Sequence, residues 1–147
     1  MEYISNNEND TFKIAQVVAK NIKAGDVVLL KGDLGAGKTN FTKGLAKSLG
    51  IEEIVTSPTF TILNEHYGND LNLYHFDFYR LEDENELKEL GFDEFIGKTD
   101  GICVIEWFEK APSILPKTFI YIEIEKLGDY ERKFIISFNK GKNDLNF

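Results

Sequence analysis

Val27-Val28-Leu29-Leu30-Lys31 runs directly into Gly32-Asp33-Leu34-Gly35-Ala36-Gly37-Lys38-Thr39, and the reading of this stretch decides the fold. The first four residues are β-branched or apolar, and with Lys31 the run is of strand length. The next eight match G-x-x-x-x-G-K-[ST] at every fixed position, which a chain of this length meets by accident about once in two hundred. Residues 40–49 then carry apolar side chains at helical spacing. Strand, glycine loop and helix, in that order, are what a phosphate cradle requires. Glycines let the backbone turn tightly and aim amide N–H groups inward, and the helix behind them presents its partial positive end. The concavity suits a nucleoside triphosphate enclosed by Asp33, Leu34, Gly35, Ala36, Gly37, Lys38, Thr39 and Asn40. Lys38 reaches the β- and γ-phosphates, and the Thr39 hydroxyl is placed to ligate the Mg²⁺ that bridges them. A turn whose glycines served backbone geometry alone would need no Lys-Thr pair there.

Composition bounds the kind of nucleotide protein. A chain of 147 residues, 42% hydrophobic, is expected to make one compact domain over residues 1–147, with no material for a second. No run approaches the roughly 18 apolar residues of a membrane span. The segment 1–8 has neither a basic nor an apolar signal region, so a cytoplasmic location is expected. Cys103, the only cysteine, lies inside Ile102-Cys103-Val104-Ile105 and reads as a buried small hydrophobe. The net charge of −8 opposes direct capture of nucleic acid, so any nucleic acid is expected to be held by a partner.

Outward from the P-loop, Phe12, Ala15, Val18, Ala19 and Ile22 predict a helix over 10–23, stopped by Ala24-Gly25-Asp26. Residues 54–59 read as a loop, and 60–67 and 71–79 as two strands of an antiparallel hairpin turning at Gly68-Asn69-Asp70. An acidic, solvated helix is expected over 82–89, ending at Gly91. Residues 102–106 form a wholly apolar run ending in an acid, which suits a central parallel strand. Alternation of Ile120, Ile122 and Ile124, then of Phe134, Ile136 and Phe138, predicts a C-terminal hairpin around Leu127-Gly128-Asp129. The tail 139–147 is expected to fray. The fold class is α/β: a P-loop NTPase domain whose mixed sheet carries antiparallel hairpins and is flanked by helices.

Hydrolysis needs more than a cradle; a carboxylate must manage Mg²⁺ and orient the attacking water. Glu106, at the end of an apolar strand, and Asp77, at the end of an alternating one, are the two candidates, and spacing leaves open which orients the water. Alternation puts His75, Asp77 and Tyr79 on one side and Tyr74, Phe76 and Phe78 on the other, so the polar side reads either as part of a site or as a face turned to solvent. Thr56-Ser57-Pro58-Thr59 stands where a hydroxyl could sense the γ-phosphate. Trp107, the sole tryptophan, suits core packing or a partner contact. Asn139-Lys140-Gly141-Lys142 imitates a guanine-reading motif but lacks its aspartate.

Taken in order, residues 32–39, Thr56-Ser57-Pro58-Thr59-Phe60, His75-Phe76-Asp77-Phe78-Tyr79-Arg80 and Ile105-Glu106-Trp107 resemble the bacterial TsaE (YjeE) family. The resemblance spans nearly the whole chain. It departs at Phe108, where a proline often stands, at Asp129, where a Gly-Arg pair is common, and at Asn40, which replaces a frequent threonine. The resemblance implies an ATPase needed for threonylcarbamoyl modification of adenosine 37 in tRNA. It also implies two partner proteins, TsaB and TsaD, that hold the transferase chemistry, so tRNA is met only through the complex. The motif match assigns Lys38 to the β/γ-phosphates, Thr39 and Glu106 to Mg²⁺, and Asp77 to hydrolysis through water. It puts Asn7, Thr11 and Arg132 near the base or the phosphates, and makes Trp107 and residues 56–59 responsive to nucleotide or partner. Two alternatives stay open: a small-molecule kinase, against which the presence of only two arginines weighs, and a non-catalytic nucleotide sensor.

Overall fold

The computed structural model describes residues 1–52, 55, 56, 58 and 61–145. Its centre is set by two strands that are apolar on both faces. In β2 (Val27–Lys31) every residue but the last is buried, and β5 (Gly101–Glu106) is buried throughout. Such runs belong inside a parallel sheet covered on both sides. Accordingly β2 pairs in parallel with β5 and with β6 (Thr118–Lys126), and β5 pairs in parallel with β4 (Asn72–Asp77). Antiparallel partners close the flanks. β3 (Leu63–His66) pairs with β4 on one side, and β7 (Arg132–Gly141) with β6 and then β1 (Glu2–Ser5) with β7 on the other. The result is one seven-stranded mixed sheet in the order β1-β7-β6-β2-β5-β4-β3, which bears out the expected α/β class.

Helices α1 (Glu8–Lys20) and α2 (Lys38–Ser48) cover one face, where Ile14, Val18, Phe41 and Leu45 pack on Val28, Leu30, Val104 and Ile122. Their approach is close: a Cβ on Gly44 would lie 3.0 Å from the Cβ of Ala15. On the other face α3 (Asn85–Leu90), α4 (Phe92–Phe95) and two 3-10 turns, Phe108–Lys110 and Pro112–Ile114, enclose Leu29, Tyr74, Phe76, Phe78 and Ile105.

Local chemistry explains where boundaries differ from expectation. α1 begins two residues early because the Asn7 side chain caps it, accepting from the Asp10 amide at 2.8 Å, and it stops at Lys20 rather than 23. β4 ends at Asp77, whose carboxylate accepts the Tyr79 amide at 2.9 Å and turns the chain. The acidic helix is shorter than expected and closes at Gly91, which has φ +80° and opens the unforeseen α4. β1 carries no sequence signal; it forms because β7 offers it an edge. β7 continues through Gly141 against Thr118, and the turn Lys142–Asp144 follows, in the segment expected to fray. Most of the stretch 54–60, read as a loop and the start of a strand, lies outside the described residues; Val55 and Pro58 are buried and Thr56 is exposed. No helix among the described residues is long and apolar enough to cross a membrane.

Candidate phosphate-binding site

The loop after β2 is held in its turn by three glycines with different tasks. Gly35 and Gly37 sit at φ +80° and +104°, conformations that side chains rarely adopt. At Gly32 the constraint is space, since a Cβ would lie 3.0 Å from the backbone oxygen of Ile124 on β6. Arg132, the first residue of β7, clasps the loop from outside. Its Nε donates to the Ala36 oxygen at 3.0 Å and its Nη2 to the Gly35 oxygen at 3.3 Å, while Nη1 donates to Gly128, Asp129 and Glu131 oxygens across the β6–β7 turn. Two of these five contacts tie the glycine loop to a strand almost a hundred residues later, and the other three fix the guanidinium on its own turn.

Lys38 opens α2 and is nearly buried. Its Nζ donates to the Gly32 oxygen at 2.8 Å, stands 3.8 Å from Oε1 of Glu106 and lies 4.4 Å from the centre of the Trp107 ring. The acids arrive by sheet register. Parallel pairing aligns Leu30 with Glu106 and Glu106 with Asp77, so the two carboxylates end adjacent strands at the carboxyl edge, beside the loop. Both are 3% exposed. Burial of Asp77, and of His75 at 0%, removes the solvent-facing reading of that strand face. As the middle strand of a covered sheet region, β4 has no wet side, and its polar residues turn toward the layer of α1 and α2.

A cleft of about 320 Å³ opens over these groups, lined by Lys38, Thr39, Asn40, Asp77, Glu106 and Arg132 together with Leu34, Gly35, Gly37, Tyr79 and Trp107. Asp33 stands apart, on the outer side of the loop with Lys31 and Glu123, and Ala36 is buried, contributing its carbonyl to Arg132. Asn7 and Thr11 line a second recess of about 180 Å³, which shares Gly37, Asn40 and Arg132 with the first. Among the described residues no three His, Cys, Asp or Glu side chains are grouped to hold a metal. The oxygens of Thr39, Asp77 and Glu106 form the kind of sparse, hard donor set that suits Mg²⁺ carried on phosphates.

The family model described as "Threonylcarbamoyl adenosine biosynthesis protein TsaE" matches residues 5–134. The chain belongs to the TsaE family. A Bacillus subtilis relative, named a tRNA threonylcarbamoyladenosine biosynthesis protein TsaE, is 49% identical over 86% of this chain and 78% of its own. A Treponema pallidum protein of the same name is 42% identical over 93% of this chain and its full length. The crystal structure of YdiB from Bacillus subtilis superposes with a TM-score of 0.79 at 40% identity, covering 98% of this chain and 87% of that one.

Three features of this TsaE site escape a reading of the sequence. His75 meets Glu106, Nε2 to Oε2 at 2.5 Å, although 31 residues separate them; alternation gives the face but not the partner on the next strand. Trp107 adopts φ 55°, unusual for a non-glycine residue, and its ring packs 4.9 Å from Tyr79 at the mouth of the cleft. Tyr130, 82% exposed, stands at the rim of the second recess near Phe134. Cys103 lies in β5 away from the cleft, its thiol donating to the Phe95 oxygen, and burial pushes its pKa up to about 12. It is the inert hydrophobe its surroundings imply.

Proposed function

We propose that this chain is the ATP-binding and ATP-hydrolysing component required for threonylcarbamoyl modification of adenosine 37 in tRNA, working with the TsaB and TsaD proteins. One observation carries the enzymatic part: the glycine loop, Lys38, Thr39, Asp77 and Glu106 converge on one cleft. Family membership supports the biological setting. Backbone amides of the loop and Lys38 would bind the β- and γ-phosphates. Thr39 and Glu106 would hold Mg²⁺, which supplies charge neutralisation on the transferring phosphoryl group. Asp77 and Glu106, on neighbouring strands and lining the same cleft, offer a base for an attacking water. The water oxygen attacks phosphorus there, its proton passes to a carboxylate, and ADP carries away the bond electrons. The kinase alternative is weakened because Arg132, one of only two arginines, spends its fork on backbone carbonyls.

The acidic balance of the chain and the small cleft favour output through protein partners rather than direct tRNA capture. The test is ATP turnover by the chain alone and with the two partners, alongside formation of the modified base. Slow turnover alone, stimulation by the partners and loss of both turnover and modification in Glu106→Gln with ATP binding intact are expected. Rapid turnover that the partners leave unchanged would refute the partner-dependent reading; modification undiminished in Glu106→Gln would favour a sensor.

A further inference from the structure

We propose that His75 is a positioning residue for Glu106: its Nε2–H holds one carboxylate oxygen so that the other is left facing Lys38 and the cleft. The reasoning starts from burial. His75 lies in the middle of β4, fully buried, and its Nδ1 has no hydrogen-bond partner among the described residues. Burying an imidazole with one nitrogen unpaired is costly, whereas an aliphatic side chain would fill the space without that cost. The other nitrogen makes a 2.5 Å contact with Oε2 of Glu106, itself nearly buried. That contact fixes the tautomer. With the proton on Nε2 the ring donates to the carboxylate and leaves only an acceptor lone pair unsatisfied at Nδ1. The opposite tautomer would set a lone pair against the carboxylate and strand an N–H inside the sheet.

The consequence lies on the far oxygen. A glutamate at a strand end rotates about its terminal torsion, and with both oxygens free it would turn onto the nearby ammonium of Lys38. Held by His75 through Oε2, it presents Oε1 alone, 3.8 Å from Lys38 Nζ, longer than a hydrogen bond. Lys38 thus keeps donors for an incoming phosphate, and one carboxylate oxygen keeps a fixed direction. The arrangement has the logic of a partner that orients a ligand without touching the substrate.

The inference rests on the hydrolytic reading above only for its kinetic arm. The chain has two histidines, His66 and His75, so nitrogen NMR of the intact protein can resolve both rings. We expect Nε2 of His75 to carry a proton, shifted far downfield by the short contact and displaced in Glu106→Gln. In the partner complex, His75→Leu and His75→Asn should lower kcat about 10- to 100-fold while leaving the ATP KM within about twofold, as for other orienting partners. His75→Gln, whose amide nitrogen reaches the position of Nε2, should recover most of the loss; thermal unfolding of each variant identifies any that fail to fold. An Nδ1–H tautomer overturns the proposal, as does a folded His75→Gln as slow as His75→Leu. If variants do not fold, the wild-type tautomer decides. If the wild-type complex hydrolyses no ATP, the hydrolytic reading falls while the tautomer still judges His75.

Discussion

Replacing Arg132 by lysine separates two things an arginine can do beside a nucleotide: supply charge and hold backbone. Lysine keeps the charge at the rim of the cleft but has no planar fork to span Ala36, Gly35 and the β6–β7 turn together. A hydrogen bond from a charged donor contributes about 1.5–3 kcal/mol when shielded. The Gly35 contact is exposed and the Ala36 contact only partly buried, so water recovers part of this, and about 0.5–1 kcal/mol for each of the two loop contacts is the appropriate scale. Their sum, about 1–2 kcal/mol of lost organisation, corresponds to a Kd for ATP or ADP weaker by about 5- to 30-fold. Equilibrium titration of Arg132→Lys and Arg132→Gln with both nucleotides measures it, and amide exchange at residues 35–37 should quicken in both variants. Wild-type affinity in Arg132→Lys, with loss confined to Arg132→Gln, would show that Arg132 acts through charge and refute the clasp.

Cys103 should resist thiol reagents in the native state. With its pKa pushed up to about 12, the thiolate fraction at pH 8 is about one in ten thousand, so labelling should await unfolding in urea, and rapid native labelling would contradict the packing. Because the folded thiol titrates above its ordinary 9.0, its contribution to stability is complete below pH 9 and is lost as pH climbs toward 12, which alkaline denaturation of Cys103→Ala against the parent would read. Gly44→Leu should shift the urea midpoint downward by the equivalent of about 1–3 kcal/mol, since the new side chain must displace Ala15 at 3.0 Å and Phe12 at 3.3 Å. An unchanged midpoint would mean that α1 and α2 can separate freely.

The parts of this fold that sequence reveals are those whose cause is local. Val27–Lys31 is a strand with the expected bounds because a run of apolar residues before a glycine loop admits little else. The alternation of Ile120, Ile122 and Ile124 likewise gives β6 its inner face. What stays hidden depends on pairing across the sheet. β1 is a strand only because β7 lies beside it, and β4 loses its wet side only because both faces of the sheet are covered there. The site divides the same way. The P-loop and both acids are visible as motif and strand ends, but the contact of His75 with Glu106 and the grip of Arg132 on the loop join residues 31 and 96 positions apart, through register and a turn that no local pattern encodes.

Pairing of Glu2–Ser5 with β7 also has a consequence for synthesis. The segment is synthesised well before its partners Arg132 to Ile135, and loop closure over such a separation is slow compared with local folding. The recess containing Asn7 and Thr11 needs Arg132 and Phe134 for its wall. A nascent chain therefore carries its phosphate motif before the wall that completes this recess, which arrives only with β7. Products interrupted before β7 would lack the Arg132 clasp and bind nucleotide poorly, which ties nucleotide binding to the presence of that strand.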